Sequence, residues 1–578
     1  MKSKISKPDV LNGGKSYFNQ LATIILVGLL AWGLVLFTDY LLYDSWWTCY
    51  LLQNKDKFWC FEQICREIGR PLDIFFFWPL TFFNDPIFVA KVVGVCSHIA
   101  QACLFSMCLQ AAFRISKIDA TWIAAIGVAL PFFDLCGEIC LFMYGTAPLL
   151  FWVAWLILLQ CDWKFNMRSF LLRLLVLGLF FFSFNLNSLL PFFYSFAGVF
   201  FISDWRQNPS RSLQQQIIFS FRRFWDVYLL PLVFWSWKTI FCPLQGIYAE
   251  WEYNKINFDL SVLLKGYASF FHMFAGEARE VFALGWSILA LLLLLSVLSS
   301  YLVLKKVKFS SEKGANSFLW NLENTLYGLA LLMASAFPYV VTGKLFAEND
   351  WDSRNAVLVA LPAGMVIFFF IKTVRSLIFP KSELLPFTVV FYFILVGVVS
   401  ANCSTLRLQA MGAKQQSLSN KLKTVISKTP IRAISLRDYY HIPATIYFYP
   451  HIMWTYICTD FESVPKVLVV DTRFAFPDQI KVNPDGTRET VIPIIQFDDR
   501  IYEHFVKYAG AAFSFAEPPS SKDSVTAIIT QGEQGVDGVS IGTRYLFSKY
   551  FDPSDLNKYI QSITKVIIID SDNKQKVY

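Results

Sequence analysis

A polytopic α-helical membrane protein with a polar α/β tail is the architecture that three observations in this chain predict. Of 578 residues, 55% are hydrophobic and only 16% are charged, and the mean hydropathy is +0.45. The apolar excess lies in long uncharged runs rather than at scattered positions, and it stops abruptly near residue 403. A water-soluble core cannot hide that much apolar surface, whereas a run of about 20 apolar residues crosses about 30 Å of hydrocarbon. The same composition excludes a disordered chain, a collagen-like chain and a disulfide-stapled scaffold. The net charge of +8 fits loops held at an anionic membrane face better than nucleic acid, because the tail has no Lys/Arg stripe with interleaved aromatics.

About eleven spans are expected, near 18–38, 86–112, 119–135, 139–160, 169–186, 189–203, 226–243, 282–304, 319–341, 355–372 and 386–402. The first run is longer than a signal-peptide core and lacks a small-x-small cleavage site before Asp39, so it is expected to be retained. The segment 72–83 is apolar but short and contains Pro79, which predicts an interfacial or re-entrant helix. Short loops rich in Lys and Arg stay cytoplasmic. One side receives Lys2 to Lys15, Arg114 and Lys117, Lys164 and Arg168, Arg206 to Arg223, Lys305 to Lys313, and Lys372 to Lys381. The opposite loops, at 39–85, 133–138, 185–188, 244–281 and 342–354, carry mixed charge. The N-terminus is therefore expected inside and the tail outside, with a membrane domain over 1–403 and a large first outer loop at 39–85.

Residues 404–578 change character. An amphipathic stretch at 405–428 precedes β-rich runs such as KVLVVDT, VTAIIT and KVIIID, separated by turn signals at NPDG and EPPSS. That pattern predicts one extracytoplasmic α/β domain.

The chain has 12 cysteines, most within or beside expected spans, where they serve as small apolar core residues. Cys49, Cys60 and Cys65 share the first outer loop, and an oxidising compartment would permit one disulfide there. There is no CxxC, no HExxH, no P-loop and no dinucleotide glycine pattern, and the 5 histidines are dispersed. An ATP-driven transporter or a nucleotide-dependent soluble enzyme is therefore not expected; a divalent cation remains possible.

Candidate chemistry sits in the outer loops. Asp39 and Asp44 stand where the first span leaves the membrane, followed by Trp46 and Trp47. An acid there can act as general base toward a sugar hydroxyl or hold a divalent cation, and the indoles can stack on sugar faces or anchor the loop. On a continuous helix the two aspartates would lie roughly 140° apart, so they form a paired site only if the helix breaks. Arg66, Arg70 and Asp73 share this loop. Asp134 and Glu138 form a second acidic pair at i, i+4, a like-charge spacing that calls for a compensating group. In the segment 343–355, Lys344, Asp350, Trp351, Asp352 and Arg354 bring a phosphate-pairing fork, acids and an aromatic to one loop. For each cluster, ordinary interfacial anchoring is the competing interpretation.

An inside N-terminus, one span, a large first outer loop opening with acids, a Gly-Arg-Pro-Leu element at 69–72 and a run of short-looped spans together resemble the GT-C-type glycosyltransferases. Within that superfamily the chain is most similar to the Gtr-type glucosyltransferases that modify bacterial surface polysaccharide. The likeness covers about residues 18–160 at the level of motifs and 1–403 at the level of topology. It implies a cytoplasmic (inner) membrane enzyme, a sugar donor on polyprenyl phosphate, a glycan or lipid acceptor outside, and an acid of the first outer loop as base. That role falls on Asp44, with Asp39 as the alternate. The family commonly has adjacent acids, whereas these are four residues apart. The chemistry of such a transfer places Arg70 and Arg354 toward the lipid phosphate, Trp46, Trp47 and Trp351 toward sugar faces or the isoprenoid, and Asp134 with Glu138 toward hydroxyls, with Arg66, Lys344 and Asp352 as further substrate-binding candidates. A secondary transporter or lipid flippase is the main rival and a membrane scaffold presenting the tail a third. Transporters, however, place charges near the bilayer midplane in two related halves, and neither feature stands out here.

Overall fold

The computed structural model describes residues 14–42, 45–53, 58–160, 166–245, 249, 255–306, 318–347, 351–378, 382, 384–428, 431, 433–440, 468–471, 480–482, 488–490, 524–570 and 574–578. Helix α1 (Gly14–Trp32) runs into a 3-10 turn, Gly33–Phe37. The first loop then folds as three short helices, α2 (Ser45–Gln53), α3 (Phe58–Glu67) and α4 (Asp73–Phe77), the last continuing into a 3-10 turn at Trp78–Phe82. This short apolar stretch leaves Phe75, Trp78 and Phe82 exposed.

Helices α5 (Pro86–Phe113), α6 (Lys117–Ala129), α7 (Phe142–Gln160), α8 (Met167–Ser183), α9 (Leu189–Gln207) and α10 (Leu213–Phe241) follow. The local chemistry sets their ends. Asp85 caps α5 with Pro86 in its first turn, Ser116 caps α6, Asn166 caps α8, and Ser212 with Gln215 forms a capping box on α10. Next come α11 (Leu260–Ala283), α12 (Trp286–Lys306), α13 (Phe318–Val340), α14 (Ala360–Ile378) and α15 (Leu384–Lys428). Helix α5 packs against α1, α6, α7 and α9, while α14 packs between α6 and α13.

The chain is therefore a helical membrane protein, but the count of eleven spans does not carry over. Among the described residues, 6 helices are long and apolar enough to cross a bilayer, those at 19–37, 86–113, 139–160, 286–305, 360–378 and 384–428. The other expected spans also coil as helices, yet each falls short for a physical reason. Helix α6 is about 20 Å long and α8 about 26 Å, against about 30 Å of hydrocarbon. Helix α9 ends in polar residues around Asp204 and Arg206, α10 carries Arg222, Arg223, Asp226 and Lys238, and α13 carries Asn321, Glu323 and Asn324. Most of these charges close into ion pairs. Lys372 meets Asp119 at 3.0 Å between α14 and α6, Arg206 meets Glu323 at 2.8 Å between α9 and α13, and Arg173 meets Asp226 between α8 and α10. A second difference is α11, which occupies much of the expected loop 244–281. Lys265, Glu277, Arg279 and Glu280 interrupt its hydropathy, so it is helical without being uniformly apolar.

Helix α15 passes through residues 403 and 404 without interruption, so a rigid rod about 68 Å long joins the two regions. Its C-terminal half is buried by α16 (Gly538–Phe551) and α17 (Pro553–Ile563). Gly542 makes this possible, because a Cβ there would collide with the Leu406 carbonyl. The three β-rich runs become strands of one sheet. Strands β1 (Ala433–Asp438), β2 (Leu468–Asp471), β5 (Ser524–Gln531), β6 (Thr564–Ile569) and β7 (Gln575–Val577) line up in the order β2-β1-β5-β6-β7. Pairing is parallel for β1 with β2 and β5, and antiparallel thereafter. A separate hairpin joins β3 (Ile480–Val482) to β4 (Arg488–Thr490). Lys421 and Ser417 of α15 bind Thr564 at the start of β6, which fixes the sheet to the rod.

The disulfide that the first loop would permit does not link Cys49 to Cys65; both are unbridged and buried, and the Cys60 side chain lies outside the described residues.

Candidate functional site

At the end of the bundle that carries the first loop, two groups of polar residues gather. The first surrounds an irregular strap, residues 38–42, which connects α1 to Ser45 at the start of α2. Asp39 accepts hydrogen bonds from Gln409 of α15 (2.8 Å) and from Tyr545 of α16 (2.8 Å), and it pairs with Lys549 at 3.0 Å. Tyr550 adds a bond to the Phe37 carbonyl at 2.9 Å. The Asp39–Lys549 pair is partly exposed, so it contributes about 1 kcal/mol or less, and the closely packed helices supply most of the docking. Beneath the strap, Glu138 Oε2 accepts the Leu42 amide at 3.1 Å and the Ser45 hydroxyl. Burial pushes the Glu138 carboxyl well above the ordinary carboxylate range, while its bonds to Ser45 and Leu42 and the nearby Lys91 oppose that rise. Asp134 is buried in the same turn, and its charge and that of Glu138 both reach Tyr40.

The second group is cationic. Gly69 adopts φ +68°, and a Cβ on it would stand 2.7 Å from the Cys242 carbonyl, so only glycine lets this turn close on the end of α10. The Glu67 carbonyl accepts the Gln245 amide at 2.9 Å from the same stretch. Arg70, the next residue, is thereby aimed inward. It pairs with Asp73 at 3.1 Å, donates toward the Met143 sulfur, and lies 6.0 Å from the Tyr144 ring centre. Asp73 also accepts Asn185 from the α8–α9 turn. Lys238, near the end of α10, donates to Asn187 at 2.9 Å.

Lys344 joins these two cations from a separate loop. Burial, and then the charges of Arg354 and Arg70, lower its pKa to about 8, with Asp352 opposing and Lys238 adding to the effect. Arg354 lies 3.7 Å from Asp352 and is 13% exposed. Four cations from the first loop, α10, the loop after α13 and the turn at Trp351–Ala356 therefore share one neighbourhood, where Asp73 and Asp352 are acids among the described residues. Several partly buried cations drawn to one place are suited to an anion with several oxygens, since the Arg forks and Lys ammoniums can each donate to it. An anion bound there is expected to weaken as pH rises through about 8, where Lys344 loses its proton; titrating the affinity for a phosphate-bearing lipid from about pH 7 to about pH 9 measures it.

The two groups are adjacent along the chain. Glu138 holds the strap and Met143 touches Arg70, and five residues of chain reach at most about 18 Å.

Of the residues the sequence singled out, Arg70, Lys344, Asp352 and Arg354 meet in the cationic group, and Asp39, Asp134 and Glu138 surround the strap. Arg66 does not join them; it lies on the exposed face of α3 in a 2.7 Å pair with Glu62. Trp46 is half-buried and donates to the Leu41 carbonyl at 2.8 Å. Asp44 and the side chains of Trp47 and Trp351 lie outside the described residues. Lys238, Tyr144, Asn185 and Asn187 were not anticipated. A lysine inside the aromatic run FWSWKTIF was the available signal for Lys238. Among the described residues, no three His, Cys, Asp or Glu side chains come together as a metal site.

No family model, curated protein or solved structure matches this chain.

Proposed function

We propose that the protein is a GT-C-like membrane glycosyltransferase that moves a sugar from polyprenyl phosphate to an acceptor outside the cytoplasmic membrane. In this reading the first loop faces outward and the N-terminus is cytoplasmic. The observation that supports it best is the meeting of Arg70, Lys238, Lys344 and Arg354 at one end of the bundle. Asp44 takes the proton of the acceptor hydroxyl as that oxygen bonds to the anomeric carbon. The bond from that carbon to the phosphate oxygen breaks, and the departing lipid phosphate gains a negative charge. Arg70 and Arg354 receive that charge through planar donor forks, and Lys238 and Lys344 add point charges. The exposed aromatics Phe75 and Trp78 begin only a few residues from Arg70, which suits an isoprenoid chain lying in the bilayer surface.

Ion pairs within the helices are closed acid to base, as with Arg173 and Asp226, which supports chemistry at the loop end over a charge relay through the bundle. The test is transfer of labelled sugar from a polyprenyl-phosphate donor by the purified protein in lipid. Label appearing in a glycan or lipid acceptor supports the reading. Movement of the lipid-linked sugar across the bilayer without transfer would replace it with the flippase reading.

A further inference from the structure

Two buried ionisable side chains, one basic and one acidic, lie beneath the strap, and each holds part of its backbone. Lys91 of α5, 1% exposed, donates to the Thr38 carbonyl at 2.8 Å, to the Thr38 hydroxyl at 3.3 Å and to the Tyr40 carbonyl at 3.5 Å. Glu138, also 1% exposed, takes the donors that follow, the Leu42 amide and the Ser45 hydroxyl, both through Oε2. Its Oε1 has no hydrogen-bond partner among the described residues. The cation thus holds the acceptors of the first half of the strap, and the anion holds the donors at its end.

Stability alone does not explain such a pair, since well-packed apolar residues of similar volume usually serve as well. A Lys/Glu pair supplies something a Leu pair cannot. Residues 38–42 belong to no helix or sheet, so their backbone groups lack repeating partners. Charged groups held in fixed directions satisfy them in one register only. Gly94 tightens the arrangement, because it lets α5 approach the Cys136 carbonyl in the turn that carries Glu138.

We infer that Lys91 and Glu138 act as one positioning pair that sets the register of residues 38–42 and of Ser45 and, resting on the transferase reading, thereby sets the rate of sugar transfer. With almost no exposed surface, Glu138 serves the strap and not a substrate hydroxyl. Asp134 is buried in the same turn.

Two readouts test this in the full-length protein, the maleimide reaction rate at Leu42→Cys, a position that is buried in the strap, and steady-state sugar transfer. Glu138→Ala strips both strap donors of their acceptor; about a tenfold faster labelling and about a 10- to 100-fold fall in kcat are expected, with donor KM within about threefold. Glu138→Gln keeps a carbonyl oxygen that can accept both bonds, and both readouts are expected to return to within about threefold of wild type. Lys91→Met tests the other half without touching Glu138, and faster labelling is again expected.

Labelling and kcat unchanged in Glu138→Ala and Lys91→Met would overturn the positioning role. So would Glu138→Gln as inactive as Glu138→Ala with labelling at the wild-type rate, because the carboxylate would then be acting on the substrate. If labelling responds as expected while the wild-type protein transfers no sugar, the positioning pair stands and the transferase reading is what fails.

Discussion

Arg70→Ala is expected to lower sugar transfer from a polyprenyl-phosphate donor by about 10²- to 10³-fold, the effect of removing one preorganised donor from a developing negative charge. Arg70 is the residue on which the cationic group depends most. It bridges the first loop to α7 through Met143 and Tyr144, and its charge reaches Lys344 in a separate loop. Arg70→Lys keeps the charge and loses the planar fork, so an intermediate rate is expected. Because Arg70→Ala also strands Asp73 in a buried position, the double change Arg70→Ala with Asp73→Asn separates the two effects. If the double variant folds as stably as wild type and still transfers sugar slowly, the loss belongs to catalysis. Initial rates alongside thermal unfolding provide the comparison.

Asp44→Asn is expected to reduce kcat by about 10²- to 10⁴-fold, the range for loss of a general base, with donor affinity unchanged because Asp44 is assigned to the acceptor. The alternate base, Asp39, is expected to matter much less to the chemical step. Its carboxylate is already engaged by Gln409, Tyr545 and Lys549, so little of it is left to take a proton from a substrate. Comparing kcat and donor affinity for Asp44→Asn and Asp39→Asn, measured on the same preparation, distinguishes the two. A wild-type rate in Asp44→Asn would remove it as the base.

A smaller effect follows from the turn that aims Arg70. Gly69→Ala forces a Cβ into the left-handed region and against the Cys242 carbonyl, and a cost of about 1–3 kcal/mol is expected. Chemical denaturation measures that cost. Partial loss of transfer should accompany it, because the same backbone fixes the direction of Arg70.

The helical membrane class and the strands of the tail were legible because hydropathy and alternation are local signals. Runs such as VTAIIT and KVIIID carry their periodicity within six residues. The number of crossings was not legible in the same way. Helices α9, α10 and α13 mix apolar faces with charges that find partners only on another helix, as Arg206 does with Glu323, and no window on a single segment reveals a partner. Helix α11 was missed for the same reason, since Glu280 pairs with Arg407 of α15.

Within the candidate site, Arg70, Lys344 and Arg354 were visible as loop cations near aromatic residues. Lys238 and Lys91 were not, because a single lysine in an apolar run is indistinguishable from a snorkelling side chain until its acceptors are known. Glu138 was visible as an acid, but its role was not. A spacing of i, i+4 suggested a pair on one helix, whereas the chain folds there as a buried turn in which Glu138 faces the first loop.

The most direct measurement is the affinity of the purified protein for polyprenyl phosphate without sugar, so that turnover plays no part. It is taken for wild type, Lys238→Ala, Arg354→Ala and the double variant. If cations from separate segments form one anion site, each single change weakens binding by about tenfold or more, and the double-mutant cycle shows coupling of about 0.5 kcal/mol or more. Affinity equal to wild type in both single variants would contradict it, because the two charges would then be serving only their own loops.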